Sequence, residues 1–240
     1  MTIYREEGVV LRTHRLAEAD RIVSLLTEGR GKVRAVVKGV RKTKSRFGAR
    51  LEPMTHVALQ LYEGRELDTV TQAETIETFR AVREDLDRVA RAGALLEAVD
   101  QLAQEGEPNI GLYRMLLGAL RSLSTRDSPL IVAGFYLKLL SLEGFHPVLD
   151  ACAMCGAVDT PLVAFDLEQG GTLCRSCRRG ASLSDPALAV VREILGGQLS
   201  KALLEPASEV TAEVESLATR ALENHLERRL KAAANAHWAH

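Results

Sequence analysis

All four cysteines of this chain lie in one short stretch, arranged as two Cys-x-x-Cys pairs. The first pair is Cys152 and Cys155, the second is Cys174 and Cys177, and eighteen residues separate the pairs. Two thiolates on one tight turn can bind a metal ion from one side, and a second pair completes a tetrahedron, the geometry that Zn²⁺ prefers. The spacing therefore predicts one Zn²⁺ ion per chain, held by these four cysteines.

A zinc site of this kind is expected to be structural. Four thiolates fill the coordination sphere and leave no position for a reactive water molecule. The ion would tie together a segment that is too short to build its own core. A redox-active cysteine pair is the alternative, although a single Cys-x-x-Cys would suffice for it. His146, near the first pair, is expected at a helix end rather than as a further ligand.

Basic residues are concentrated in residues 30–50, which we call the basic segment. It contains nine cations and no acidic residue: Arg30, Lys32, Arg34, Lys38, Arg41, Lys42, Lys44, Arg46 and Arg50. Because the whole chain has a net charge of −1, the other residues together carry about ten net negative charges. The cations are therefore clustered rather than spread over the chain.

The pattern within the basic segment indicates a strand followed by a loop. Cations alternate with apolar residues over residues 32–35, so that in a strand the cations share one face. Glycine, serine and threonine recur over residues 39–48, which is typical of a loop. This arrangement fits a polyanion such as nucleic acid, whereas the alternative is a solvated charged face. We predict DNA contacts from Lys32, Arg34, Lys38, Arg41, Lys42, Lys44 and Arg46.

Catalytic constellations are not visible in the sequence. Residues 27–33, TEGRGKV, only faintly resemble a phosphate-binding loop, since that pattern needs a glycine at Leu26 and a hydroxyl residue at Val33. The nucleophile-elbow, zinc-protease and dinucleotide-binding patterns are missing as well. We therefore predict a protein that is not an enzyme. Three arginines around the second cysteine pair could contact phosphate or a partner, or could simply be surface charge: Arg175, Arg178 and Arg179.

The N-terminal third alternates between short apolar runs and turn signals, which is typical of β-strands. Five strands are predicted, at residues 8–11, 22–27, 32–40, 55–62 and 67–73. Five short strands in about seventy residues fit a five-stranded Greek-key barrel of the oligonucleotide-binding (OB) type. The barrel would place the cations of the basic segment on one outer face.

Helical periodicity begins after Glu74. Helices are predicted at residues 78–104, 110–123, 130–142 and 184–195, and a last helix after Ser208. A hairpin at residues 162–173 interrupts them together with the cysteines. The predicted fold class is α+β: a five-stranded OB-type barrel at residues 1–78, followed by an all-α domain at residues 79–240 that carries a four-cysteine zinc ribbon at residues 150–180.

Composition and patterning predict a globular cytoplasmic protein without membrane association. The longest apolar stretch, Leu130–Leu142, contains Lys138 and is too short to cross a bilayer. The N-terminus lacks the charged start and long apolar run of a secretory signal.

Residues 8–64 carry a resemblance to a known family. Lys-Gly-Val-Arg-Lys-Thr-Lys-Ser-Arg at residues 38–46 is followed by Leu-Glu-Pro at residues 51–53. This sequence resembles the RecO family of bacterial recombination mediators, in which a Lys-Gly-x-Arg-(Lys or Arg)-x-Lys-Ser-Arg segment precedes a Leu-x-Pro strand. The order of barrel, helices and cysteine insertion is similar to that family over nearly the whole chain.

The resemblance implies a DNA repair protein with an N-terminal OB fold and a C-terminal helical domain. It implies binding of single- and double-stranded DNA and annealing of complementary strands coated by single-strand-binding protein. It also implies cooperation with RecR to load RecA, and recognition of the acidic C-terminal tail of single-strand-binding protein by the helical domain. Such a protein would be cytoplasmic and associated with the nucleoid.

Aromatic residues are scarce, and the basic segment contains only Phe47. Because OB barrels commonly stack bases on aromatic side chains, this composition predicts binding through the DNA backbone, with strong salt dependence. Two alternatives stay open at this point: a zinc-dependent nucleic-acid enzyme such as a nuclease or deaminase, and an interaction adaptor that does not bind DNA.

Overall fold

The structure is a computed structural model that describes residues 2–16, 18–40 and 47–230. The chain divides into two compact units, Met1–Thr125 and Arg126–Leu230, which we call the first and the second unit. Each contains its own buried apolar residues. The two units are described separately below.

The first unit begins with a closed five-stranded barrel. Its strands are β1 (Ile3–Arg15), β2 (Arg21–Thr27), β3 (Gly31–Val37), β4 (His56–Tyr62) and β5 (Asp68–Glu77). The order around the barrel is β1-β2-β3-β5-β4, with β4 pairing back onto β1 and β5 running parallel to β3. This five-stranded closure is the arrangement of an OB-type barrel, so the predicted barrel is confirmed.

Alternation along the strands separates the barrel core from its outer face. In β3, Val33, Ala35 and Val37 are buried in the core, whereas Lys32 and Arg34 belong to the opposite face. Phe47 and Leu51, from the connection to β4, complete the core. The alternation predicted for the basic strand is therefore confirmed.

The basic strand is shorter than predicted, since β3 ends at Val37 rather than at Val40. Gly39 has a φ of +66°, a conformation that favours glycine and interrupts the strand. Its amide donates a hydrogen bond to Asp20 Oδ1 at 2.8 Å. The end of β3 is thus fastened to the connection between β1 and β2.

Three α-helices follow the barrel in the described part of the first unit: α1 (Arg80–Arg83), α2 (Leu86–Leu102) and α3 (Ile110–Thr125). The single helix predicted at residues 78–104 is therefore wrong, because the structure divides it at Asp85. Asp85 has an extended backbone, and its side chain accepts hydrogen bonds from the amides of Asp87 and Arg88. Asp85 is therefore the N-cap of α2, and α2 begins as a helix separate from α1.

The segment that follows α2 forms backbone hydrogen bonds with the start of β3. Lys32 N donates to Gln104 O at 3.0 Å, and Gly106 N donates to Lys32 O at 3.3 Å. Gly31 has a φ of +66°, and a Cβ atom there would lie 2.0 Å from Glu107 O. A glycine is therefore required where β3 meets this segment.

A buried histidine joins β4 to α3. His56 is 4% exposed, and its Nε2 atom lies 2.7 Å from the hydroxyl oxygen of Tyr113. Its Nδ1 atom has no hydrogen-bond partner in the described part of the chain. Burial lowers the pKa of His56, and the nearby Glu7 carboxylate opposes that shift.

We expect the first unit to lose stability as the pH falls below about 6.5, the ordinary pKa of histidine. The unfolded chain binds a proton there that the folded state, with its lowered His56 pKa, does not. The loss is at most about 1.4 kcal/mol per pH unit and levels off below the folded-state pKa. Urea unfolding at pH 7.5 and 5.5 checks this. A His56→Gln variant should show a smaller pH dependence, and an equal dependence would assign the effect to other groups.

The second unit contains four helices and a small sheet. The helices are α4 (Leu130–Leu142), α5 (Asp185–Leu195), α6 (Leu199–Ala202) and α7 (Glu209–His225), and α4 packs against α5 and α7. The strands β6 (Leu162–Asp166), β7 (Gly171–Cys174) and β8 (Ala181–Ser182) form a sheet of order β7-β6-β8. The hairpin predicted around Gly170 is present as the β6–β7 pair.

These elements confirm the predicted fold class, a five-stranded barrel followed by a helical region with a cysteine-bearing insertion. The domain boundary predicted between residues 78 and 79 stays a prediction. Helices α1 to α3 share the first unit with the barrel. Across the residues that the structure describes, the helices are all too short or too polar to span a membrane.

Candidate functional site

The four cysteine sulfur atoms come together in the second unit. All four Sγ atoms lie within 4.8 Å of one another, and those of Cys155 and Cys174 are 3.8 Å apart. Sulfur atoms placed about 2.3 Å from a tetrahedral metal ion are separated by about 3.8 Å. A disulfide would need a separation of about 2.05 Å, and all four thiols are free. The cluster therefore fits one metal ion bound by four thiolates.

Local backbone geometry places the two cysteine pairs. The first pair lies in a turn in which Gly156 N donates to Cys152 O at 2.8 Å, and Gly156 has a φ of +75°. The second pair begins at the end of β7 with Cys174 and continues through the 3₁₀ turn Arg175–Cys177. Each pair thus presents its two thiols from one tight turn, as predicted.

Thr172 of β7 joins the two cysteine pairs, a role that no pattern in the sequence indicated. It is fully buried, and its carbonyl accepts a hydrogen bond from Ala153 N at 2.8 Å. Its hydroxyl lies 3.1 Å from Val148 O and 3.0 Å from Ala151 O. Thr172 therefore holds the turn of the first pair against the strand that carries the second.

The thiols of the cluster differ in acidity. Hydrogen bonds from backbone amides, with that of Cys174 having the largest effect, lower the pKa of Cys152 to about 6. Hydrogen bonds with the side chains of Cys155 and Cys174 raise the pKa of Cys177 to about 12. Four adjacent thiolates repel one another, and a divalent cation at their centre removes that repulsion.

The charged residues near the cysteines are mostly engaged within the second unit. Arg179 Nε lies 3.0 Å from Asp166 Oδ2, and Arg178 donates to Ser182 Oγ at 2.8 Å. Arg175 is exposed. His146 lies outside the cysteine cluster and contacts Ser141 at the end of α4 through Nδ1, at 3.2 Å. A contact from these arginines to phosphate or to a partner stays a prediction.

Carboxylates neutralise the strand part of the basic segment. Lys32 Nζ lies 2.9 Å from Asp100 Oδ1, an ion pair rather than a well-directed hydrogen bond, and the two side chains are 16% and 11% exposed. The other oxygen of Asp100 lies 3.4 Å from Arg12 Nη1. Asp100, near the end of α2, therefore pairs with two cations on the outer face of the barrel.

We expect Lys32→Met to lower the free energy of unfolding by about 2 kcal/mol. It would remove the hydrogen bond from Lys32 Nζ to the backbone carbonyl of Asp100 and leave Asp100 Oδ1 without its ammonium partner, because Arg12 lies near Oδ2 instead. A buried polar group that loses its partner costs about 1–3 kcal/mol. Arg34→Met is the matched control, because the pair between Arg34 and Glu105 is 3.6 Å long and both side chains are about half exposed. Such exposed pairs contribute about 0–1 kcal/mol. Equal urea midpoints for the two variants would contradict this difference.

Arg30 is also engaged within the first unit. Its guanidinium lies 3.9 Å from the centre of the Tyr4 ring and 3.8 Å from Glu63 Oε1. Burial and the hydrogen bond that Tyr4 donates to Asp68 raise the pKa of Tyr4. The charge of Arg30, near the start of β3, is therefore already paired with a carboxylate and an aromatic ring of the barrel.

The loop part of the basic segment begins with Lys38. Its side chain is exposed and makes no ion pair with a residue that the structure describes. Arg41, Lys42, Lys44 and Arg46 lie outside the described residues. The DNA contacts predicted from the seven cations of the basic segment stay predictions.

Phe47, the single aromatic residue of the basic segment, is 5% exposed and packs in the barrel core. It therefore offers no surface on which a base could stack. Its burial agrees with the predicted binding through the DNA backbone.

The closed OB-type barrel, the helices and the four-cysteine ribbon place this chain in the class of proteins that join an OB fold to a helical region with a cysteine ribbon. Comparisons with known proteins give the family. Residues 1–79 match the family described as Recombination protein O N terminal, and residues 83–234 match Recombination protein O C terminal. The chain belongs to the RecO family.

Two curated relatives cover almost the whole chain. The DNA repair protein RecO of Nocardioides sp. is 43% identical over 241 residues, covering 97% of this chain and 98% of that protein. The DNA repair protein RecO of Frankia casuarinae is 43% identical over 238 residues, covering 97% of each chain. The resemblance first seen at residues 8–64 is therefore confirmed.

Proposed function

We propose that this chain is a non-enzymatic DNA repair and recombination mediator that binds single- and double-stranded DNA and anneals complementary strands. The observation that carries the proposal is the basic segment, which belongs to an OB-type barrel and lies within the residues 1–79 that match the N-terminal RecO family. The principal contacts are Lys38, Arg41, Lys42, Lys44 and Arg46. Lys32 and Arg34 contribute less, because Asp100 and Glu105 already pair with them.

The proposed mechanism is charge neutralisation. Cations of the basic segment lower the repulsion between two phosphate backbones and hold the strands together while the bases pair. The burial of Phe47 supports a mode in which base edges stay free to find their complement. Base pairing then supplies the specificity, and no covalent bond is made or broken.

We further propose that the chain acts with the partners of its family. It would anneal strands coated by single-strand-binding protein, contact the acidic C-terminal tail of that protein, and cooperate with RecR so that RecA is loaded. Its place would be the cytoplasm, in association with the nucleoid. The names of the two relatives, both DNA repair proteins, support the role in repair.

The proposed metal is one structural Zn²⁺ bound by Cys152, Cys155, Cys174 and Cys177. The four-thiolate donor set and the 3.8 Å sulfur separation support zinc. A metal ion held by all four thiolates has no open position at which to activate water. The arrangement therefore favours the mediator over a zinc-dependent nuclease or deaminase.

Fluorescence annealing of complementary oligonucleotides tests the proposed function. The protein should accelerate duplex formation both for bare strands and for strands coated by single-strand-binding protein. Acceleration should decline as the salt concentration rises, because the contacts are electrostatic. An annealing rate equal to that without protein, at low salt and with both kinds of strand, would reject the mediator and favour an adaptor that does not bind DNA.

A further inference from the structure

The end of the barrel beside Lys38 carries a cation that lies outside the basic segment. Arg15, the last residue of β1, is opposite Arg21 in the β1–β2 register, and Arg21 is opposite Val37 in the β2–β3 register. Because neighbouring strands are about 4.8 Å apart, the backbones of Arg15 and Val37 are about 10 Å apart. Arg15 thus lies two strands away from the residue that precedes Lys38.

Arg15 has no visible role in stabilising the fold. It faces another arginine directly across the strand pair, and like charges in that arrangement are destabilising. Arg21 is neutralised by Glu52, whose Oε1 atom is 2.6 Å from Arg21 Nη1. The Arg15 side chain is exposed and forms neither an ion pair nor a hydrogen bond with the described residues. Arg15 therefore offers an unneutralised guanidinium.

Leu16, directly after β1, and Asp20, directly before β2, are held close to Lys38 by hydrogen bonds. Leu16 N donates to Asp20 O at 3.1 Å, and the Asp20 carboxylate accepts the hydrogen bond from Gly39 N at 2.8 Å. Glu18 is exposed in the same connection. Asp20 therefore binds the residue after Arg15 and the residue after Lys38. Both cations lie at the same end of the barrel for this reason.

The outer face of β3 offers a less favourable path for a polyanion. Asp100 pairs there with Lys32 and Arg12, and Glu105 pairs with Arg34. A phosphate chain along that face would have to displace these carboxylates or lie beside them. At the barrel end Asp20 binds Gly39 N, and Glu52 binds Arg21. Among the described residues, therefore, no carboxylate has to be displaced from Arg15 or Lys38.

We propose that Arg15 contacts DNA directly and that the phosphate backbone crosses the barrel end from Arg15 to Lys38. The guanidinium of Arg15 would donate two parallel hydrogen bonds to one phosphate group. The inference rests on the proposed DNA binding and adds a contact outside the basic segment. It also directs the DNA across the strand ends rather than along β3.

Charge-matched variants on one strand test the proposal. Arg5 is also exposed on β1 and lacks an ion pair within the described residues, and it lies ten residues from Arg15. At about 3.3 Å per residue the two side chains are roughly 30 Å apart. Fluorescence anisotropy should compare Arg15→Ala and Arg15→Glu with Arg5→Ala and Arg5→Glu. The probes are a labelled thirty-nucleotide dT strand and a thirty-base-pair duplex at several salt concentrations.

Arg15→Ala is expected to weaken binding of the dT strand about fivefold at 0.1 M salt and to lower the salt slope by about 0.7, the value of one phosphate contact. Arg15→Glu should weaken it further, and the Arg5 variants should bind as the wild type does. Arg15→Lys keeps the charge but cannot donate the two parallel hydrogen bonds, so it should retain the salt slope and recover only part of the affinity. Equal affinities of the Arg15→Glu and Arg5→Glu variants, with weaker binding by Lys38→Ala, would overturn this inference alone. No binding by the wild-type protein would overturn the proposed function as well.

Discussion

Replacing Cys152 with serine is expected to abolish metal binding and to destabilise the second unit. Cys152 is 1% exposed and lies in the four-sulfur cluster. Serine stays protonated at neutral pH, so it cannot replace the thiolate. In zinc-finger peptides structural zinc contributes about 10–16 kcal/mol to folding, and we expect the loss of one ligand here to cost at least about 3 kcal/mol. Metal analysis under reducing, chelator-free conditions should show one zinc ion per wild-type chain and almost none in the variant.

Met154→Ala is the matched control for the cysteine variant. Met154 lies between the two cysteines of the first pair but is 53% exposed and offers no thiolate. Hydrogen exchange should show rapid exchange at Ala153 N in the Cys152→Ser protein, since that amide donates to Thr172 O. Amides of β2, in the first unit, should keep their protection. Full zinc occupancy in the serine variant, or none in the wild type, would contradict the assignment.

The cysteine site could be predicted from the sequence because its information is local. Each Cys-x-x-Cys forms one turn, and the hairpin between the pairs follows from short-range signals. Thr172 could not be predicted in the same way. Its role depends on carbonyl groups of Val148 and Ala151, more than twenty residues before it, and such contacts leave no pattern in the sequence.

The basic segment shows the opposite case, in which a local pattern hid long-range contacts. Alternation correctly predicted the outward face of Lys32 and Arg34. It did not indicate that two distant carboxylates would pair with them. Asp100 lies near the C-terminal end of the seventeen-residue helix α2, and Glu105 follows that helix. An acidic residue distant in sequence can neutralise a cation once the fold brings them together. The local charge pattern therefore overestimates the positive charge exposed along β3.

Competing local signals limited how accurately the boundaries of strands and helices could be predicted. β1 runs over Ile3–Arg15, far beyond the predicted residues 8–11, because its polar ends lack the apolar run that identified its centre. In the helical part, apolar spacing continued across Asp85, so periodicity alone predicted one helix where a capping side chain starts a new one. Periodicity reports the buried face, whereas capping and hydrogen bonding to neighbouring segments set the ends.

The loop of the basic segment should account for most of the DNA affinity. Replacing Lys38, Arg41, Lys42 and Lys44 with alanine removes four proposed phosphate contacts. We expect the slope of log affinity against log salt to fall by about 3 for single-stranded DNA, since each contact contributes about 0.7. At 0.1 M salt this corresponds to a loss of several hundredfold. Anisotropy titrations across a range of salt concentrations measure both quantities, and annealing should fail in parallel.

A charge-matched control decides whether position or net charge matters. Arg5, Arg65, Arg114 and Arg126 are exposed and make no ion pair with described residues. Their joint replacement by alanine removes the same number of positive charges, four, and leaves the basic segment unchanged. If affinity depended on net charge alone, both quadruple variants would weaken equally, and the proposed surface would be rejected. A strong loss confined to the loop variant would instead mean that DNA requires clustered cations, in a chain whose overall charge of −1 gives it no general attraction for a polyanion.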